Sequence, residues 1–353
     1  GDISMLVGAG TLGTGGDVII SAGDTLDDAT GGIVTITSGR SQLSSSGEVY
    51  VQTAPGGRGG DSGRIMLQTG TTTQGSTGSI EIRTGEATKG RGGDISLSVG
   101  TGDSGSGGNI FVNAGKTTAK DSTGGHILVQ SGLGSATSSG GIQLITADAG
   151  LKGVSGTIEL TTGTSSVGST GQFTIDTGDA TDGRGGDIIL QVGAGDVGTG
   201  GDVKITAGAT SAKKSAGGQL IMKAGDGTNE DKNNGGSGGD VTIAGGEGLG
   251  SGAQDTGGHI NIQGGKAASG TGGQLTVTSG TSNEASSGPV ILSTANSGAE
   301  GVSGAIIISS GTASLGTSGE LVLTTGQALD GQGGSISLLV GDANNITADV
   351  KVV

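Results

Sequence analysis

Three segments carry the spacing G-x-G-x-x-G directly after an aliphatic run: Gly8-Gly10-Gly13, Gly100-Gly102-Gly105 and Gly193-Gly195-Gly198. In a dinucleotide-binding fold that spacing brings the backbone close to a pyrophosphate, which then rests on the N-terminus of the next helix. Here the residues after Gly105 read "GGNIFVNAG", an extended pattern with no helical period. The three matches are therefore read as turns, and no cofactor-binding residue is assigned.

Two further segments, Gly56 to Asp61 and Gly235 to Asp240, match the calcium-repeat pattern G-G-x-G-x-D. Such repeats close a site only when consecutive turns supply oxygens to the same ion. These two are far apart in the chain, so a solvated Asp is the simpler reading. Asp61 and Asp240 remain as weak candidate Ca²⁺ ligands, beside the acidic turns Asp24, Asp27, Asp28 and Asp226, Glu230, Asp231. The chain has two His, His126 and His259, each in "GGHI", and no Cys that could complete a zinc site with them. No Ser can be matched to a His–Asp pair. The catalytic set is accordingly empty, and no enzyme is expected. One sequon, Asn345-Ile346-Thr347, makes Asn345 a glycosylation candidate.

Composition narrows the class further. Of 353 residues 84 are Gly, with 2 Pro, 2 Phe, one Tyr and no Trp. Collagen would need Gly at every third position and abundant Pro. The formal net charge of −15 opposes nucleic-acid binding, which requires a basic footprint. No run approaches the ~18 apolar residues of a membrane-spanning helix. The absence of Cys suits a reduced compartment, or an extracellular chain that does without disulfides. No signal peptide precedes Gly1, which is the expectation for a processed chain or a fragment.

The elements that would position any of these residues are repeats. "GGDISLSVG" at Gly92–Gly100 returns as "GGDIILQVG" at Gly185–Gly193 and "GGSISLLVG" at Gly333–Gly341. An aliphatic or Phe anchor follows each Gly-rich turn: Ile3, Val18, Val34, Val49, Ile65 and so on through Phe173, Ile188 and Ile336 to Val350. There are about 23 such units, spaced about 15 or 16 residues apart. A second aliphatic residue stands two positions after every anchor, from Met5 and Ile20 to Leu338 and Val352. That is the period of a strand with one committed face. The third position, four after the anchor, cycles through Val7, Ala22, Ser38, Thr53, Thr69, Thr84 and then Val99, Ala114, Ser131, Thr146, Thr162, Thr177.

Residues 1–353 thus read as one continuous array. Six-unit super-repeats cover 3–94 and 95–187, and a third, 188–335, carries a three-unit insertion near 209–265; a partial repeat occupies 336–353. The expected fold is all-β without helices: a parallel β-solenoid (β-helix) of strand–turn units. Spacings of six and nine units favour three strands per coil, about 46 residues, over two. Right-handed crossovers are expected. Gly1 to Val7 and Ala348 to Val353 ("ADVKVV") read as ordinary repeat, so the expected ends are uncapped and join like to like.

The outward residue between the first two aliphatic positions is itself apolar in ten units, among them Ile19, Met66 and Phe111. In a three-strand coil those three stack on one face, an expected interaction patch for another chain or layer. The repeat texture, over the whole chain, resembles the long Gly/Ser/Thr-rich repeat proteins of algae and related protists. The resemblance implies an extracellular or cell-surface structural role and carries no catalytic residue. The expected function is a structural, non-catalytic element of a filament, fibre or surface layer. Its partners would be further repeats or copies of itself, with neither nucleic acid nor membrane insertion. The alternative is a surface adhesion or ligand-binding solenoid with weak Ca²⁺ sites in its acidic turns. Polysaccharide-acting β-helices place acids and aromatic platforms on long excursions, which this chain lacks. Ice binding would need a flat outward ladder of Thr, and the outward positions Ser4, Ile19, Thr35, Tyr50 do not form one.

Overall fold

The computed structural model describes residues 1–252 and 254–341. Among them there is no α-helix and no β-strand; extended or irregular segments alternate with bends and turns. The chain divides into two units, Gly1–Phe173 and Thr174–Val353. Each is built in the same way, from anchor-bearing segments joined by Gly-rich turns that close on themselves.

The expected parallel β-solenoid, with three strands per coil, is therefore not the fold. The accessible surface is 35773 Å², and no side chain is buried. A compact protein of 33.1 kDa would expose about 12,500 Å², and a fully unfolded chain about 48,000 Å². The main chain tells the same story. Only fourteen main-chain hydrogen bonds join the described residues, nearly all of them local, where a folded chain makes about one hydrogen bond per residue. No helix among the described residues is long and apolar enough to cross a membrane.

The physical reason lies in the composition that made the repeat legible. Closing a coil would order 84 Gly, the residue that loses most freedom on folding. The return would be two aliphatic side chains per unit, with no aromatic mass to fill a wide interior. With no coil there is nothing to stack Ile19, Met66 and Phe111 on one another. Ile188, an anchor expected to face inward, is 53% exposed.

Exposure follows the two-residue alternation in some segments and not in others, Met66 at 56% being less exposed than Leu67 at 73%. In one segment Ile188 is 53% exposed, Ile189 78%, Leu190 71% and Val192 41%. Where the third position is Val it is the least exposed aliphatic residue of its segment, as at Val7, Val99 and Val192, because it meets the chain again. After most turns a Gly two residues before the next anchor returns to the third residue, forming a neck; Gly171 is an exception, with nothing within 4 Å. A Cβ placed on Gly108 would stand 2.8 Å from Val99 Cγ1, and one on Gly16 2.7 Å from Val7 Cγ1. At Gly93 the nearest atom, Thr84 Cγ2, is 3.6 Å away.

The size of the third residue decides whether a neck closes with a hydrogen bond. Nine necks do: the amide of Gly32 donates to the Gly23 carbonyl at 2.9 Å, Gly47 to Gly39, Gly125 to Gly115, Gly140 to Gly132, Gly218 to Gly208, Gly239 to Gly225, Gly258 to Gly246, Gly273 to Gly265 and Gly288 to Gly280. In these the third residue is Ala, Ser or Gly, as at Ala22, Ser38, Ala114, Ser131 and Gly264. Where it is Val or Thr, no such bond forms among the described residues. A second substituent on Cβ holds the two main-chain stretches apart. Size is not the whole condition, since the neck at Ser310 also stays open. At the Thr177 neck the hydroxyl itself donates to the Gly186 carbonyl at 3.3 Å.

Val99→Ala is therefore expected to let the Gly108 amide bond the Gly100 carbonyl, slowing its hydrogen exchange several-fold, whereas Ala114→Val should release the Gly125 amide to exchange at the rate of its neighbours. Exchange measured by NMR on the whole chain checks both, and equal rates in parent and variants would refute the neck rule.

Candidate functional site

Local turn chemistry places each residue singled out in the sequence. The third glycine of every G-x-G-x-x-G match has positive φ: Gly13 at 82°, Gly105 at 73° and Gly198 at 78°. A residue with a Cβ would be strained there, so the turn itself accounts for the glycine. Equivalent turns six units apart share other details. Lys89 and Asp182 are both left-handed, at 67° and 59°, as are Asp121 and Lys214, at 60° each. Thr25, Thr117 and Thr210 each accept a hydrogen bond from the amide two residues on, belonging to Asp27, Ala119 and Ala212.

The two calcium-type segments differ from each other. In the first, the Gly60 amide donates to the Gly57 carbonyl at 3.1 Å, and Gly59 has φ of 80°. That pattern is a type II turn. Asp61 follows it, exposed, and Arg58 makes no ion pair with it among the described residues. In the cognate segments Arg91 pairs with Asp94 at 2.5 Å, and Arg184 pairs with Asp187. These exposed pairs are worth little individually. Asp240 lies in the second unit, exposed, next to a loop in which Asp226 and Asp231 are already engaged. Lys223 Nζ pairs with Asp226 at 2.7 Å. Asp231 Oδ1 accepts from the amides of Asn233 at 2.9 Å and Asn234 at 2.8 Å. Among the described residues no group of three or more His, Asp or Glu side chains could hold a metal ion, and no pocket is present. His126 and His259 are exposed. Asn345 lies outside the described residues, as do the anchor Val350 and the final "ADVKVV".

What the segments share is a set of uncovered aliphatic residues. It consists of the anchors and the aliphatic residues two positions on, exposed in each described unit from Val18–Ile20 to Ile336–Leu338. The outward residues form a second, interrupted set: Ile19 is 84% exposed, Met66 56% and Phe111 81%. Turn aliphatics such as Leu26, Leu43, Leu151 and Leu315 stand free in solvent. Their exposure follows from there being no interior among the described residues for them to fill. Comparison with protein-family models, with characterised proteins and with solved structures gave no match for this chain.

One group has a displaced proton equilibrium. The two amide donors, Asn233 first and Asn234 second, hold the Asp231 carboxyl below its ordinary value of 3.8, with burial opposing only slightly. A carboxylate lowered in this way stabilises its turn above 3.8, and the contribution is lost as pH falls through the lower value reached in the turn. In an NMR titration the Asp231 carboxyl should protonate below its ordinary value, and the Asn233 and Asn234 amides should shift with it. Asp231→Asn should abolish that co-titration while leaving the Lys223–Asp226 pair in place. Asn233 and Asn234 amides that stay still as Asp231 protonates would refute the assignment.

Proposed function

We propose that this chain is a structural, non-catalytic repeat segment of an extracellular or cell-surface filament, fibre or layer, assembling with copies of itself or with further repeats of the same kind. The observation that carries the reading is the pair of aliphatic positions left exposed in unit after unit. Exposed apolar surface of that extent is unfavourable in water and marks a place of association. Its repetition points to a partner that is itself repetitive. The resemblance to Gly/Ser/Thr-rich repeat proteins of algae and related protists supports the same role. The charge of −15 supports the exclusion of nucleic acid and anionic membrane from the partners. No cofactor is required by this role, and the exposed turn acids Asp61 and Asp240 need no Ca²⁺.

Electron microscopy of the concentrated protein tests the reading. Fibres, filaments or sheets are expected, with the same mass per length before and after a chelator of divalent cations. A solution of separate chains at every concentration would contradict the structural role, and assemblies that dissolve on chelation would return Ca²⁺ to the turns.

A further inference from the structure

We infer that Asn234 is a site of self-modification: the main-chain amide of Gly235 attacks the Asn234 side chain, and the residue becomes a mixture of aspartate and isoaspartate.

The chain has ten Asn, and only Asn234 is followed by Gly. The attack needs a successor without a Cβ, because a side chain there crowds the approach of its own nitrogen to the preceding Cγ. Asn109 and Asn261 precede Ile, whose branched Cβ crowds it most. Asn296 precedes Ser, a smaller obstacle.

The turn itself demands that glycine. A Cβ on Gly235 would lie 2.8 Å from the Asp231 carbonyl oxygen and 3.1 Å from that of Asn229. Hydrogen bonds pin the chain on either side of it. The Asn234 amide donates to Asp231 Oδ1 at 2.8 Å, and the Gly236 amide donates to the Asn229 carbonyl at 2.9 Å. Between them the Gly235 amide donates to nothing among the described residues. No bond has to break before its nitrogen can attack. Both residues are exposed, so water and hydroxide reach them.

The chemistry needs only water. Hydroxide takes the Gly235 amide proton, and the nitrogen forms a bond to Asn234 Cγ. The Cγ–Nδ2 bond breaks, and the departing nitrogen takes a proton from water and leaves as ammonia. The product is a five-membered succinimide. Water then opens the ring at either carbonyl carbon. Opening at Cγ gives aspartate; opening at the main-chain carbon gives isoaspartate, with the chain running through Cβ. The net change is ammonia for water, and nothing is oxidised or reduced. Either product carboxyl is ionised at neutral pH, so the formal charge of −15 becomes one unit more negative. In isoaspartate the extra main-chain carbon falls between the two bonds that pin the turn. The neck bond from Gly239 to Gly225 lies outside that stretch and should persist.

Incubation of the full-length protein at neutral and mildly alkaline pH tests this, read by peptide mapping in a mass spectrometer and by labelling with an isoaspartyl methyltransferase. Ammonia should be exchanged for water at Asn234 several-fold faster than at Asn296, at a rate proportional to hydroxide, with isoaspartate among the products. Asn234→Gln should remove the reaction, since its ring would have six members. A short synthetic peptide spanning Asn229 to Asp240 supplies the unhindered rate, and the whole chain should match it within a few-fold. A rate in the chain an order of magnitude or more below the peptide's would mean that the turn shields the amide, and would overturn the inference. So would equal rates at Asn234 and Asn296. Aspartate formed without isoaspartate would refute the ring step.

Discussion

The contact on which the rest of the structure depends is the return of a glycine to the third inward residue of the preceding segment. It is the point where most Gly-rich turns meet their own base, and it sets how far the chain on either side stands apart. With Ala or Ser beneath it the glycine comes close enough for an amide-to-carbonyl bond, as at Gly32 and Gly140. With Val beneath it, a Cβ on the glycine would lie 2.7 or 2.8 Å from a methyl carbon. No residue but glycine fits that neck without a shift. The turn between is then free to carry Lys, Asp, Asn or Ser, because its ends are already fixed. The cycle Val–Ala–Ser–Thr at the third position is thus a cycle of neck widths as well as of side chains.

A neck is a local device, and what it leaves undone explains the openness of each unit. Closing a turn of eight or so residues with one exposed hydrogen bond contributes about 1 kcal/mol at most. It orders the turn but covers none of the aliphatic residues beyond it. Burying Val, Ile or Leu is worth about 1.5–3 kcal/mol per side chain, and no element of the described residues supplies the opposing surface. Each segment therefore keeps its largest favourable term unspent. The exposed ion pairs, Arg91–Asp94 and Lys204–Asp202 among them, cannot substitute for it.

Turn positions, segment faces and recurrent turn types were legible in the sequence, because each is set by neighbours in the chain. The Gly–Gly pairs mark the necks, the two-residue alternation appears as alternating exposure around Ile188, and "TGEATKGRGGD" and "TGDATDGRGGD" bend alike at Lys89 and Asp182. The coil was not legible, and inferring it was the error. Alternation says that one side of a segment is apolar; it does not say what covers that side. Six- and nine-unit spacings constrain a coil only if a coil exists. The neck bonds also left no trace in the alternation. They could have been anticipated from small against branched residues at the third position, had neck width been considered. At the candidate sites, sequence reasoning treated Asp61 and Asp240 as equivalents. The type II turn at Gly57–Gly60 and the asparagine-rich loop before Gly235 make them different places.

The distribution of charge complements that of the exposed aliphatic positions. A net charge of −15 spread over turns and outward positions makes most mutual approaches repulsive. Repulsion between surface charges acts over about 10 Å at 0.1 M salt, comparable with the reach of a turn. It therefore discourages turn-to-turn contact and edge-on crowding while leaving the uncharged side open. Had acids entered the third position in place of Ser or Thr, the same charge would have closed that side too. Carboxylates occupy the turns, the residue before the anchor and outward positions such as Glu81, Glu159 and Asp176, so that charge and aliphatic side chains stay on separate positions within fifteen or so residues.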